Sequence, residues 1–159
     1  MSQEERFGTR DLTYSAWHRE QSTQRFVGSA GSHSLAMIDL DGVMWLEYDR
    51  GVNEPLALME LARDIGQASK AATLTQALAR RCCPTLPAFV VLYRISEKPN
   101  PAAPEYPDIS FFRVRRIWPN PEATWHIFSA RAWAEQLLSL RTYCSQFLDA
   151  NPEAANGRS

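Results

Sequence analysis

The stretch of sequence that decides the fold is LAMIDLDGVMWLEYDRGVNEPLALMELA, residues 35–62. Its first half is apolar and partly alternating, which is typical of a strand, and Gly42 predicts an interruption within that strand. The segment RGVNE is polar and contains a glycine, so it predicts a turn. PLALMELA follows as a second strand with Pro55 at its start, a position where proline is tolerated. The whole stretch therefore predicts a β-hairpin.

The sequence downstream of the hairpin predicts two helices and two further strands. A helix is expected over 69–82, with an apolar face made of Leu74, Ala77, Leu78 and Cys82. The uniformly apolar run 87–94 is typical of a central strand covered on both faces. Four prolines within 96–108 predict an exposed, extended loop, and the pattern of 111–118 predicts another strand.

The two ends of the chain complete this outline. Ser129 is placed to cap a last helix, whose apolar positions recur at spacings of three and four and are Trp133, Leu137, Leu140, Cys144 and Phe147. Before the hairpin, 12–20 reads as a short helix and the polar segment 21–34 as a loop. We expect one domain over 1–150 and a disordered tail over 151–159. A hairpin followed by a helical crossover to another strand predicts an α/β fold with a mixed β-sheet flanked by helices.

Composition indicates the cellular compartment of the protein but does not identify its function. The chain has 159 residues and a formal net charge of −1, so a strongly basic, nucleic-acid-binding balance is missing and any such contact needs a local basic patch. No apolar run approaches the roughly 20 residues of a membrane span, and the start MSQEERFGTR is polar. We therefore expect a cytoplasmic protein without a membrane partner.

Acidic residues in the hairpin form the candidate chemistry. Side chains alternate along a strand, so Asp39 and Asp41 are expected on one side, with Glu47 beside them if no bulge intervenes. Glu60 lies on the partner strand, where facing carboxylates come within roughly 5 Å. Such carboxylates repel one another in apolar surroundings, and a divalent cation such as Mg²⁺ relieves the repulsion. The alternative is that these acids line a solvated sheet face.

The pattern "IDLD … WLEYD … PLALMELA" resembles the core of the PD-(D/E)xK nuclease superfamily, which has the restriction-endonuclease-like fold. Asp41 would match the first acid of that motif and Glu60 the glutamate of its Glu-x-Lys. The chain is also similar to a group of phage and mobile-element proteins with a Tyr-Ser-x-Trp-His-Arg segment, here residues 14–19. The resemblance implies a nuclease that hydrolyses phosphodiester bonds with Mg²⁺ or Mn²⁺, with Asp39 or Glu47 as further ligands.

Ala62 stands where that superfamily has its lysine, which positions the attacking water and offsets charge in the transition state. Lys70, in the following segment, is the candidate replacement, and Gln67 is a second group that could orient a water. The alternative is a catalytically degenerate nuclease fold that binds DNA or a host protein, as a replication accessory or an inhibitor of host defence. The oligomeric state is left open, a homodimer being one alternative.

Basic residues on the later strand are candidates for contacting nucleic acid, DNA rather than RNA. Arg113 and Arg115 alternate onto one face, where their guanidinium groups suit phosphates. The alternative is that they pair with acids of the chain itself. His18 and Arg19, within the Trp-His-Arg segment, are also predicted to contact nucleic acid, although a structural role is the alternative for His18.

Overall fold

The computed structural model describes residues 13–19, 22–35, 37–38, 42–47, 53–82 and 85–150. The helices are α1 (Thr13–Arg19), α2 (Gln24–His33), α3 (Thr73–Arg81) and α4 (Ala130–Ala150). The strands are β1 (Met37–Ile38), β2 (Gly42–Glu47), β3 (Asn53–Arg63), β4 (Ala88–Asn100), β5 (Ala103–Trp118) and β6 (His126–Ser129).

The strands form one six-stranded sheet in the order β1-β2-β3-β4-β5-β6. Neighbours are antiparallel except β3 and β4, which run parallel because α3 crosses between them. The predicted mixed sheet flanked by helices is thus confirmed. The uniformly apolar run begins a central strand, as predicted, and its residues Val90, Val91 and Leu92 are fully buried.

The predicted hairpin is confirmed as β2 and β3, paired from Gly42 opposite Met59 to Glu47 opposite Asn53. The sequence predicted one strand interrupted near Gly42, and a strand, β2, does begin at Gly42. The part before it is a separate strand, because β1 pairs antiparallel with β2, with Met37 opposite Met44 and Ile38 opposite Val43. A bulge between Met44 and Trp45 also shifts the register within β2. The condition that no bulge intervenes before Glu47 is therefore not met, while Asp39 and Asp41 lie outside the described residues.

Helices cover both faces of the sheet. The larger core lies under α1, α2 and α4, and its largest buried side chains include Trp17, Phe112, Trp133 and Leu137. The smaller core lies under α3 and is built from small and aliphatic side chains, among them Leu58, Ala79 and Ala88. The last helix is capped as predicted, since the Ser129 hydroxyl accepts a bond from the Ala132 backbone N–H at 3.2 Å.

Three predictions of local structure are wrong in whole or in part. The polar segment 21–34 is not a loop but contains α2, which is kinked at Gly28, where φ is +76°. Phe26 and Val27 pack it against the larger core, and these two residues were too few to give a periodic signal. The predicted apolar face of α3 is wrong in part, because Cys82 packs against the smaller core but Leu74 does not. Leu74 is 79% exposed, while Ala79 faces the sheet, because a small residue lets the helix approach closely.

The third wrong prediction concerns 96–108, which continues β4 and β5 as a two-stranded ribbon. Pro99 pairs opposite Pro107, where the register is irregular. A strand of a ribbon has one unpaired edge, so a missing N–H is tolerated there. The tip is fixed by the buried side chain of Asn100, which exchanges hydrogen bonds with the Ser22 hydroxyl at 2.9 and 2.6 Å. In the described part of the chain, no helix is long and apolar enough to cross a bilayer.

Candidate active site

The face of the sheet beneath α3 carries the candidate residues. Glu60 and Ala62 alternate onto this face from β3, and Arg113 and Arg115 alternate onto it from β5. The buried strand β4 lies between them, since Glu60 is opposite Val90 and Val90 is opposite Arg115. Sheet geometry therefore brings the acid of the predicted motif and the predicted arginines to one surface, two strand spacings or roughly 10 Å apart.

Thr75 and Lys70 are polar partners of Glu60 at this surface. The Thr75 hydroxyl, from α3, donates a hydrogen bond to Glu60 Oε2 at 2.9 Å. Lys70 Nζ lies 3.3 Å from Glu60 Oε1, and the side chains are 38% exposed for the lysine and 15% for the glutamate. The segment that follows β3 thus brings a lysine next to the Glu60 carboxylate. Ala62, where the motif has its lysine, lies on the same face of the sheet. Lys70 is the residue that the sequence pointed to as the replacement.

The carboxylate of Asp64, two residues beyond Ala62, is buried on the same face, with 1% of its side chain exposed. Arg113 donates two hydrogen bonds to it, from Nε to Oδ2 at 2.8 Å and from Nη2 to Oδ1 at 2.7 Å. The backbone N–H of Gly66 donates to Oδ1 at 2.8 Å. The Arg113 hydrogen bond is the main reason that the Asp64 pKa lies below its usual value, outweighing burial, which acts in the opposite direction.

Two further contacts hold the backbone between Asp64 and Lys70. Arg113 Nη2 donates to the Gln67 carbonyl at 2.9 Å, and Trp125 Nε1 donates to the Ala68 carbonyl at 3.0 Å. We call Asp64, Arg113 and Trp125 the loop anchor. It fixes the segment that carries Lys70 to residues distant in sequence.

The side chain of Gln67 closes the turn locally. Its Oε1 accepts from the Ile65 backbone N–H at 2.8 Å, and its Nε2 donates to the Arg63 carbonyl at 2.9 Å. Gly66 has φ +86°, which favours glycine at this position. The water-orienting role of Gln67 stays a prediction, and in this conformation its amide is engaged with the backbone.

Arg113 and Arg115 share a face, as predicted, and both guanidinium groups lie over the Trp125 ring, at 5.1 and 4.5 Å from its centroid. Arg113 is paired with Asp64, which is the alternative that the sequence left open for it. Arg94 lies 3.6 Å from the same carboxylate and over the Phe111 ring. This surface thus places the guanidinium groups of Arg94 and Arg113 beside one buried carboxylate, with that of Arg115 on the neighbouring Trp125 ring.

His18 lies on the opposite side of the sheet. It is buried on α1 beside Tyr14 and Trp17, and its Nε2 contacts the Leu35 carbonyl. Burial also raises the pKa of Tyr14, whose hydroxyl accepts a bond from the Trp133 indole. The structure therefore does not bring His18 to Glu60, and in this position it helps to pack the core.

The remaining predicted metal ligands are not placed by the structure. Asp39 and Asp41 lie outside the described residues, and only the backbone of Glu47 and of Arg19 is described. Within the described ranges, no three His, Cys, Asp or Glu side chains come together as a ligand group. The Mg²⁺ or Mn²⁺ site stays a prediction.

Sequence reasoning missed Asp64 and Thr75. A signal existed for Asp64, because it has the same parity as Glu60 along β3 and begins an Asp-x-Gly turn. Thr75 carried no local signal, since its role depends on a contact between α3 and β3.

Comparison with known proteins adds no assignment to this geometry. No family model matches the chain, no curated protein matches it, and no solved structure matches it.

Proposed function

We propose that this protein is a metal-dependent nuclease with a restriction-endonuclease-like core, acting on phosphodiester bonds of nucleic acid. The observation that carries the proposal is the 3.3 Å approach of Lys70 Nζ to Glu60 Oε1. A carboxylate and an ammonium group at one solvent-accessible point are what the motif needs, and here they come from β3 and the segment after it. The β2–β3 hairpin and the parallel crossover to β4 support the same core.

Glu60 would hold the metal together with Asp41, assisted by Asp39 or Glu47. The donor set on the described side fits a hard cation, since Glu60 supplies carboxylate oxygens and Thr75 a hydroxyl oxygen next to them. A bound Mg²⁺ or Mn²⁺ would polarise the phosphate and lower the pKa of a water molecule.

Lys70 would act on the attacking water and on the charge that develops on the phosphate. Its ammonium group can donate to both, and it lies in direct contact with the Glu60 carboxylate, at 3.3 Å, which would hold the metal. The loop anchor would hold it there without using any group of Lys70 itself. Arg115, whose contact is an aromatic ring, would attract the nucleic-acid backbone.

The test is a cleavage assay on linear, branched and single-stranded DNA and on RNA, with Mg²⁺ or Mn²⁺. We expect metal-dependent cleavage, and a loss of about 10²–10³-fold in Glu60→Gln and in Lys70→Ala, as for removal of one transition-state-stabilising group. Lys98→Ala, an exposed lysine on the ribbon, serves as the control and should cleave like the wild type. Cleavage that persists unchanged in Glu60→Gln would contradict the proposal.

A second function is favoured by one observation, the internal matching of charge. Glu60 is paired with Lys70 and Asp64 with Arg113, so neither carboxylate needs a cation to be stable. Together with Ala62, this fits a nuclease fold that has lost its chemistry and binds nucleic acid or a host protein. Calorimetry with Mn²⁺ helps to separate the two, because metal binding that Glu60→Gln abolishes counts heavily against the second function.

A further inference from the structure

The part of the candidate face that lies beyond α3 is open and carries cations interleaved with rings. We call it the β5 platform, and it consists of Arg94, Phe111, Arg113, Arg115, Trp125 and Ile127. Across the ladder, Arg113 lies opposite Ile127 of β6 and Arg94 lies opposite Phe111. Directly paired residues share a face, so these side chains project to the same side of the sheet.

The platform combines an exposed apolar surface with a local excess of positive charge. Ile127 is 71% exposed. Of the platform's three guanidinium groups, those of Arg94 and Arg113 lie next to the Asp64 carboxylate, whereas that of Arg115 lies over the Trp125 ring. This local excess contrasts with the formal net charge of −1 of the whole chain. The platform is the local basic patch that composition could not show.

The rings are held in place by their neighbours. Arg94 lies over Phe111 at 5.4 Å from the ring centroid, and Arg115 lies over Trp125 at 4.5 Å. The hydrogen bond from Trp125 Nε1 to the Ala68 carbonyl fixes the orientation of the indole. Pre-oriented rings cost little entropy on binding, and guanidinium planes can stack on bases as well as pair with phosphates.

We propose that the β5 platform binds single-stranded nucleic acid, with bases stacked on Trp125 and Phe111 and phosphates paired with Arg94 and Arg115. The ring faces of bases are available in a single strand, whereas a duplex hides them in its stack and offers mainly phosphates. A platform with rings and an exposed isoleucine between its cations therefore matches unstacked bases better than a duplex surface. The inference deepens the proposed function, because it names the form of the substrate.

Binding is measured by fluorescence anisotropy in EDTA, so that cleavage plays no part, with labelled (dT)20, (rU)20 and a 20-base-pair DNA duplex. We expect at least one of the single strands to bind at least tenfold more tightly than the duplex. The comparison of (dT)20 with (rU)20 decides between DNA and RNA as the source of the strand. Failure of the nuclease proposal would appear only in the cleavage assay.

Variants locate the binding on the platform. Trp125→Ala should weaken binding of the preferred strand by about 5- to 150-fold, the range for loss of one stacked base, whereas Trp125→Phe should retain most of it. Arg115→Gln should lower the salt dependence by about 0.7 in the log–log slope, one phosphate contact. Tyr143→Ala, an exposed aromatic on α4, is the control and should bind like the wild type.

Two results would overturn the inference. One is duplex binding as tight as binding of both single strands. The other is unchanged binding of the preferred strand in Arg115→Gln together with Trp125→Ala. Arg115 stacks on the Trp125 ring but is not part of the loop anchor, so its variant remains informative even if Trp125→Ala unfolds.

Discussion

Replacing Asp64 by asparagine removes the negative charge at the centre of the loop anchor. The carboxylate is buried, and it accepts two hydrogen bonds from Arg113 and one from the Gly66 backbone. Asparagine keeps the size and one acceptor oxygen. It presents an amide N–H₂ to the guanidinium of Arg113, so at least one charge-assisted hydrogen bond is lost while Arg113 stays in place.

The expected loss follows from the burial of the pair. Removing one partner of a buried ion pair costs about 3–5 kcal/mol, because the other charge is left uncompensated. The Arg113 side chain is 16% exposed and keeps its bond to the Gln67 carbonyl, which places the loss near the lower end. We expect the free energy of unfolding to fall by about 3 kcal/mol. For a chain of this size the melting temperature then falls by about 6–12 °C.

The pH dependence has a definite sign. The pKa of Asp64 is lowered in the folded protein, chiefly by the Arg113 hydrogen bond. Its stabilising contribution is therefore fully present above the unfolded-state pKa of about 3.9 and is lost as the pH falls through the folded-state pKa. The difference in unfolding free energy between wild type and Asp64→Asn should be constant from about pH 5 to 8 and should shrink below about pH 4.

Urea unfolding followed by far-ultraviolet circular dichroism measures both quantities. The matched control is Asp108→Asn, which weakens the bidentate pair with Arg25, whose side chains are 25% exposed for the arginine and 20% for the aspartate. That pair is more accessible to solvent, so we expect the control to lose about 1 kcal/mol or less. The reasoning is refuted if Asp64→Asn loses no more than Asp108→Asn, or if its effect is the same at pH 3 as at pH 7.

Three further predictions test the rest of the fold. Ser129→Ala should lose about 1 kcal/mol of unfolding free energy in urea because the cap of α4 is removed, while Ser129→Asp should lose little; equal losses would contradict the cap. Leu137→Ala should cost about 2–5 kcal/mol, since the side chain is fully buried, and Leu74→Ala about 0.5 kcal/mol or less, because Leu74 is exposed; similar costs would contradict the packing of these helices. Burial raises the pKa of the Cys144 thiol to about 11, so alkylation by iodoacetamide, mapped by mass spectrometry, should be slow at pH 8 and rise toward pH 11; fast labelling at pH 8 would contradict it.

The sequence predicted those parts of the fold that depend on local pattern. Alternation and a bounding proline gave the β2–β3 hairpin, and a uniformly apolar run gave the start of β4. The α2 helix was not predicted, because its apolar residues Phe26 and Val27 form no periodic pattern and pack against the larger core only in the folded chain. The ribbon was not predicted, because four prolines in 96–108 argue against strands. In the structure Pro99 and Pro107 lie opposite each other in a two-stranded ribbon, whose unpaired edges tolerate a missing N–H.

In the candidate site, too, features set by local sequence were predicted and features set by distant contacts were not. Parity along β3 was enough to place Glu60 on a defined face, and proximity in the chain made Lys70 the candidate replacement. Their 3.3 Å approach depends on the loop anchor, in which Arg113 and Trp125 reach back 49 and 57 residues to Asp64 and Ala68. Contacts of that separation leave no periodic trace in the sequence, so the anchor could only be seen in the folded chain.

The most direct test of the central claim moves the lysine back to the position of the motif. Ala62 lies on the same face as Glu60 and is partly exposed, so a lysine side chain can be accommodated there. Metal-dependent cleavage is measured for wild type, Lys70→Ala, and Lys70→Ala combined with Ala62→Lys. The account predicts that the single variant loses about 10²–10³-fold in cleavage and that the double variant recovers cleavage to within about tenfold of wild type. Full activity of Lys70→Ala alone would contradict the claim that Lys70 replaces the missing lysine.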